Sequence, residues 1–425
     1  NIEGQLIKAK MDTKLKELGV DVLNFHDTQD LLTHEGSVVG AIGFNVRTGE
    51  FFVIEAKAIV LTTGSLSRLF PQPVMFNHLV PPNQTAEGQI MAFRAGAELA
   101  IMEQYPWQGR RVQIGAQRLK NWIRSSPATP SGYPAGRIVN AAGEEMPSNS
   151  RDFDQSYNEE LAKKQVEWIR KSIVEGKEPF YWDGTAATEE ERKYAEWACT
   201  EEGGGIELIR HLKEELGADL STHQIELARA VITEPGQPRG FLMTSPSGVI
   251  IDKKAETTLK GLFAAGEVAY GQHFPSSPWA FVTGARAGHS AADYALRTPE
   301  SKIDKKKIET GIERLYAMYR VKQGVTWQEV NQSISNIISS YLRPSPHSLK
   351  MGLQYAGDLK KEKLQASNPH ELMRCMETLS LLTVTEIFFA ASSFPRKHNE
   401  WRILKSVNGE MNFSTRLIKF KYPVE

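Results

Sequence analysis

GLFAAGEVAYGQHFPSSPWAFVTGARAGHSAADY, residues 261–294, decides how the rest of the chain is read. A short apolar run, 262–265, stops at Gly266, and an acidic residue, Glu267, follows at once. The turn Pro275-Ser276-Ser277-Pro278 then opens a segment with small residues at helical spacing: Ala280, Gly284, Ala287, Gly288 and Ala291. Physically, this is a buried strand that ends where a ligand can approach the backbone closely. A carboxylate there can accept hydrogen bonds from hydroxyls, and a helix N-terminus directs its free N–H groups at the same place. Those are the parts of a dinucleotide site at a strand's carboxyl end. The same residues also suit an ordinary strand–turn–helix with glycine for packing, so the stretch alone leaves both readings open.

With 425 residues, the chain is long enough for two or three domains with substantial cores. Lys+Arg and Asp+Glu both number 51, so no global basic field argues for nucleic acid. Hydrophobic (40%) and charged (24%) shares are those of a soluble globular protein. No run of 18 or more apolar residues occurs, so no direct membrane insertion is expected. Cys199 and Cys375 lie far apart. They cannot ligate an iron–sulfur cluster alone and do not suggest a disulfide framework, so a reducing, cytoplasmic setting is expected. The histidines show no HExxH or clustered spacing, and no metal is expected. The sequence opens inside an amphipathic pattern with no signal peptide before it, which suggests a segment removed upstream or a fragment.

Residues 1–19 read as a helix closed by Gly19, and VDVLNF, 20–25, reads as a strand. The turns His34-Glu35-Gly36 and Arg47-Thr48-Gly49-Glu50 separate alternating runs at 38–45 and 51–55, an antiparallel meander. Ala58-Ile59-Val60-Leu61 is continuous and apolar, as in a parallel strand buried on both faces, and it ends at Thr62-Thr63-Gly64-Ser65. Residues 85–100 read as a helix with Thr85 as N-cap and a small face of Gly88, Ala92, Ala95 and Gly96, suited to close packing or to a flat ligand. Residues 105–160 show little periodicity, and 157–235 read as mainly helical. Gly203-Gly204-Gly205 lacks the GxxxxGK[ST] spacing of a phosphate loop. A strand is expected at 249–252, helices at 302–322, 326–341, 345–363 and 368–394, and short strands in the last 30 residues. Asn368-Pro369 supplies an N-cap and a first-turn proline for the last helix.

Three stretches carry a family resemblance, in one order: AKAIVLTTGSLSRLF (56–70), TAEGQIMAFRAGAEL (85–99) and TTLKGLFAAGEVA (257–269). They resemble the flavoproteins of fumarate reductase and succinate dehydrogenase, a family that includes aspartate oxidase and adenylylsulfate reductase. RTGEFFVIEAKAIVL and NPHELMRCMETL are similar to its sheet and its helical domain. The resemblance implies an α/β fold: a truncated doubly wound FAD-binding domain with an inserted capping domain, followed by a helical C-terminal domain. The expected division is 1–106 and 241–300 for the FAD-binding domain, 107–240 for the cap, 301–395 for the helical domain and 396–425 for a tail.

The resemblance also implies FAD. Glu267 matches the family glutamate on the ribityl hydroxyls, and Ser276, with Ser277 beside it, matches the serine at the pyrimidine edge. The helix that follows would stabilise negative charge on the reduced ring. Thr63 and Gly64 match the strand end near the phosphates and ribose, and Gly88 lies on the helix beside the flavin. Gly266 is where the backbone comes close.

Several family motifs are replaced. No GxGxxG unit occurs in the 425 residues. Tyr105-Pro106-Trp107 stands where the family has His-Pro-Thr, and SSPATPSGYPAGR (125–137) lacks its RGEGG arginine. Met243-Thr244-Ser245-Pro246-Ser247-Gly248 replaces HYxMGG, and AYGQHFPSS (269–277) replaces HGANRLGGNS. These losses argue against a simple fumarate or succinate enzyme. MEQYPWQGRR (102–111) is closer to the adenylylsulfate reductase branch, with an aromatic and an arginine over the flavin.

A small anionic substrate would call for cationic donors: Arg110 and Arg111, whose guanidinium forks suit carboxylate or sulfate, Arg239 where the cap rejoins, and Arg286. His273 could donate a proton. A surface or structural role is the alternative for each. Trp279 is read as packing or as stacking near the flavin. The expected function is an FAD-dependent oxidoreductase flavoprotein subunit that relays electrons to a separate iron–sulfur partner and reaches a membrane only through a partner. The alternative is a truncated or catalytically silent homologue with a structural or assembly role.

Overall fold

The computed structural model describes residues 4–64, 66, 68, 84–102, 137–147, 247–271, 276–300, 303–341, 345–397 and 400–417, with scattered positions between 164 and 226. Helix α1 spans Gly4–Glu17, and Gly19, at φ 68°, closes it in the left-handed region. Strands β1 (His26–His34), β2 (Ser37–Asn45) and β3 (Phe51–Glu55) form an antiparallel meander in that order. Next come β4 (Ile59–Leu61), α2 (Glu87–Arg94) and β5 (Leu99–Ala100).

β6 (Arg137–Asn140), β7 (Phe180–Asp183) and β8 (Gln224–Glu226) make a separate antiparallel sheet. β9 (Gly248–Val249) and β10 (Leu262–Ala264) follow, then α3 (Ser276–Arg297), α4 (Lys305–Tyr316), α5 (Trp327–Tyr341), α6 (Pro346–Leu359) and α7 (Pro369–Ser393). A hairpin of β11 (Glu400–Val407) and β12 (Glu410–Leu417) closes the described chain. Its turn is Asn408-Gly409, both at positive φ, the geometry that fits a two-residue hairpin.

The C-terminal helices start as their sequences require. Asp304 caps α4 through the Lys306 N–H, and Asn368 caps α7 through the Glu371 N–H at 2.9 Å. Glu371 returns the bond to the Ser367 N–H at 2.8 Å. α7 is long and apolar enough to cross a membrane by length and composition, but it lies mostly buried. Leu372, Met376, Leu381, Val384, Ile387 and Phe389 on α7 share one core with Ile90 and Met91 of α2, Ile334 and Ile338 of α5, and Leu262 of β10. The helical domain is thereby joined to the strands that carry the site.

Three expectations are corrected. Residues 20–25 are not a strand: Val20, Val22, Leu23 and Phe25 are exposed, and ladder pairing begins only at His26. An apolar run without a partner strand has nowhere to place its N–H and C=O groups except water. The helix expected over 85–100 stops at Arg94, because Gly96, at φ 95°, turns the chain. Leu99 and Ala100 then pair with Leu404 and Ile403 on one side and with Val249 and Gly248 on the other. Thr85 is not the cap; Ala86 holds that position in the left-handed region at φ 60° with no side-chain bond. Most of 157–235, expected to be mainly helical, lies outside the described residues; within it Phe180-Tyr181-Trp182 follow Pro179 as a strand, as their aromatic character favours.

Candidate cofactor site

β4 and β10 run side by side and parallel, with Ile59, Val60 and Leu61 opposite Leu262, Phe263 and Ala264. The Ala265 N–H continues the ladder to the Leu61 carbonyl at 2.9 Å. Both strands therefore stop at one level, and both stop on glycines in the left-handed region: Gly64 at φ 76° and Gly266 at φ 73°. The crevice outside the carboxyl ends of parallel strands is where open α/β sheets bind ligands.

Gly266 is tied to α3 through both its backbone polar groups. Its N–H donates to Thr283 Oγ1 at 2.9 Å, and its carbonyl accepts from Trp279 Nε1 at 3.1 Å. The Thr283 hydroxyl in turn donates to the Trp279 carbonyl at 2.6 Å. Trp279 and Thr283 thus lock the first turns of α3 against the strand end, so that helix begins at the crevice. Among the described residues, a Cβ at Gly266 would meet only the Ala280 methyl, at 3.7 Å, which leaves space beside the backbone. Space and a left-handed φ together are what close ligand approach requires.

Glu267 stands next, in the single helical turn Gly266–Val268. Burial pushes its carboxyl up to about 7. Among the described residues it has no ion-pair or hydrogen-bond partner.

α2 forms the other wall. A Cβ at Gly88 would stand 1.9 Å from Thr63 Oγ1, so this glycine is required by the contact with β4's end. Gln89 is fully buried and donates its Nε2 to the Gly64 carbonyl at 3.3 Å. Behind α2 lies a group of carboxyls. Burial and neighbouring Glu377 push Glu87 up; burial and neighbouring Glu87 push Asp27 well up. Gln29 Nε2 bridges the two, at 2.7 Å from Asp27 and 3.4 Å from Glu87. Glu377 of α7 accepts from Arg68 at 2.6 Å and from Arg374 at 2.9 Å.

The structure thus gathers Thr63, Gly64, Gly88, Gly266, Glu267 and the start of α3 at one crevice. Ser276 and Ser277 open α3, at the end held there. Arg286 is exposed on α3 and makes no ion pair among the described residues. Arg110, Arg111, Arg239 and His273 lie outside the described residues. Sequence reasoning missed Thr283 and Gln89. Thr283 shares a face with Trp279 at i, i+4 from it, a spacing visible in the sequence. Gln89 carries no periodic signal; only its burial marks it.

These residues fit a flavin dinucleotide: among the described residues there is space beside Gly266 and no partner for the Glu267 carboxyl, and a helix starts at the same crevice. A family model described as "FAD binding domain" matches residues 1–276. The chain is similar to the fumarate reductase flavoprotein subunit of Mycobacterium tuberculosis, 29% identical over 66% of this chain and 46% of that protein. It therefore spans less than half the length of that relative. It is also similar to a chain of the CoM/CoB fumarate reductase of Methanothermobacter marburgensis, 25% identical over 90% of this chain and 69% of that protein. Among solved structures it shares the fold of adenylylsulfate reductase from Archaeoglobus fulgidus, with a TM-score of 0.71 at 18% identity, covering 93% of this chain and 73% of that one.

Proposed function

The chain belongs to the FAD binding domain family, and on that premise we propose that it is the flavin-carrying part of an oxidoreductase of the fumarate reductase and succinate dehydrogenase superfamily. Bound FAD would supply the redox step, exchange of a hydride or electron pair with a small anionic substrate. The carrying observation is the pair of strand ends, where, among the described residues, Gly266 has space beside it and Glu267 has no donor.

In this reading Glu267 accepts from the ribityl hydroxyls. The first turn of α3, with the Ser276 and Ser277 hydroxyls, donates to the pyrimidine edge, where a helix N-terminus favours negative charge. Arg110, Arg111 and Arg239 bind the substrate's anionic group, and His273 moves a proton. Arg286 stands farther from this role, since it faces solvent. Electrons pass to a separate iron–sulfur subunit, because Cys199 and Cys375 are too few to ligate a cluster. Cys375 is buried on the inner face of α7, with its thiol pushed up to about 12 by burial. Any membrane contact is made through a partner, since the long apolar helix α7 is spent on the core.

The visible spectrum of the purified chain tests this. A flavin spectrum, native or after incubation with FAD, that bleaches anaerobically with dithionite and recovers on adding a small oxidised anion supports the reading. A chain that stays colourless with excess FAD sinks it. The substrate class follows from which anion restores the oxidised spectrum, with fumarate and adenylylsulfate as the first two to try.

A further inference from the structure

Gln89 has a polar atom that nothing in the folded chain explains. The residue sits in the first turn of α2 with no exposure to solvent, between Gly88 and the fully buried Ile90. Its Nε2 donates to the carbonyl of Gly64, the glycine that ends β4. That contact sets the orientation of the amide, because the flipped form would bring two carbonyl oxygens together. With the orientation set, Oε1 is left buried and without a hydrogen-bond donor. Folded proteins rarely tolerate such an acceptor, and leaving it unpaired costs the desolvation of the group with no return. A leucine or methionine would fill the volume without that cost.

The place of the orphan indicates its missing partner. Gly64 and Glu267 each follow by three residues the last aligned pair of the parallel strands, Leu61 and Ala264. Gln89, held to Gly64, and Glu267 are both acceptors without a donor among the described residues. Two hungry acceptors at adjacent strand ends suit a ligand that presents several hydroxyls. We infer that Gln89 is a cofactor-positioning residue, whose Oε1 accepts a hydrogen bond from a sugar-type hydroxyl of the dinucleotide. The ribityl chain and the adenosine ribose share that chemistry. The inference rests on the flavoprotein reading above, which assigns no role to Gln89.

The test compares the full chain with Gln89→Met, a variant of similar volume that lacks the acceptor. FAD, FMN (ribityl without adenosine) and ADP-ribose (adenosine ribose without ribityl) are titrated by flavin fluorescence or calorimetry, and the apo melting midpoints are measured. Loss of one hydrogen bond weakens FAD by about 3- to 10-fold. The apo midpoint of Gln89→Met is equal to or above that of the wild type, because a buried orphan has been removed. The fragment that weakens in parallel with FAD identifies the hydroxyl's source. An FAD affinity within twofold of wild type overturns the inference while leaving the flavoprotein reading intact. So does a variant whose apo midpoint falls along with its affinity for every ligand, since that is a structural residue. A wild-type chain that takes up no FAD overturns the flavoprotein reading, and this inference with it.

Discussion

Glu267 is the residue whose chemistry is most sharply set by its surroundings. Its carboxyl ordinarily titrates near 4.5 and is raised to about 7 by burial alone. A raised acid favours folding while it is protonated in both states, and that contribution is lost as pH rises through the folded value. The window runs from about pH 4.5 to 7, and the shift corresponds to ~3 kcal/mol. Urea denaturation of the apo chain at pH 5, 6, 7 and 8 should therefore show stability falling up to about pH 7, and Glu267→Gln should remove its share of the fall while the raised Asp27 and Glu87 keep theirs. Donors from a bound cofactor would favour the ionised form. FAD affinity should then rise with pH up to about 7 in the wild type and lose that dependence in Glu267→Gln. A variant that keeps the full pH slope would place the titrating group elsewhere. At Gly88 the issue is contact rather than charge. Gly88→Ala drives a methyl into Thr63, a clash worth about 1–3 kcal/mol in a packed site. Gly88→Ala combined with Thr63→Ala should recover most of that loss in a thermal melt, because the two changes meet at one contact.

Elements differ in how much of them could be read ahead of the structure. The β2–β3 part of the meander was legible because the turns at Glu35-Gly36 and Gly49 punctuate it, and β4 and β10 because their apolar runs end on glycine. α7 was legible from its cap and its spacing. What failed was whatever depends on a partner distant in sequence. Residues 20–25 look like a strand until one asks what they pair with. Leu99 and Ala100 look like the tail of a helix until β9 and β11 are seen on either side. The site divides in the same way. The strand-end residues carry a local pattern, whereas the Gln89 contact to Gly64 and the Glu377 contact to Arg68 join segments that spacing cannot connect. Glu377 is the strongest test at this scale, since it ties α7 both to itself through Arg374 and to the segment after β4 through Arg68. Glu377→Ala leaves two guanidiniums facing a largely buried gap and should cost about 3 kcal/mol in denaturant unfolding. It also removes the charge that helps raise Glu87 and Asp27, so those carboxyls should titrate lower, as followed by side-chain carbonyl NMR.

At the scale of the whole molecule, one end of the cofactor site is built and the other is not visible in the sequence. α2, β4, β10 and α3 converge on one crevice and are backed by the shared core with α7. In the proposed reading, the acceptors Glu267 and Gln89 serve a ribityl chain or a single ribose. The GxGxxG turn that would bring backbone N–H groups and a helix N-terminus to the dinucleotide's pyrophosphate does not occur in the 425 residues. Recognition by this chain should therefore lean on the flavin half. In side-by-side fluorescence titrations, FAD should bind no more than about tenfold tighter than FMN, about 1.4 kcal/mol for the whole adenosine half. A full pyrophosphate cradle would separate the two ligands far more widely. An FAD preference above 100-fold would mean that the adenosine end is held by residues of this chain outside the crevice described, and the segments between 103 and 246 would be the place to seek them by crosslinking with an adenosine-bearing photoprobe.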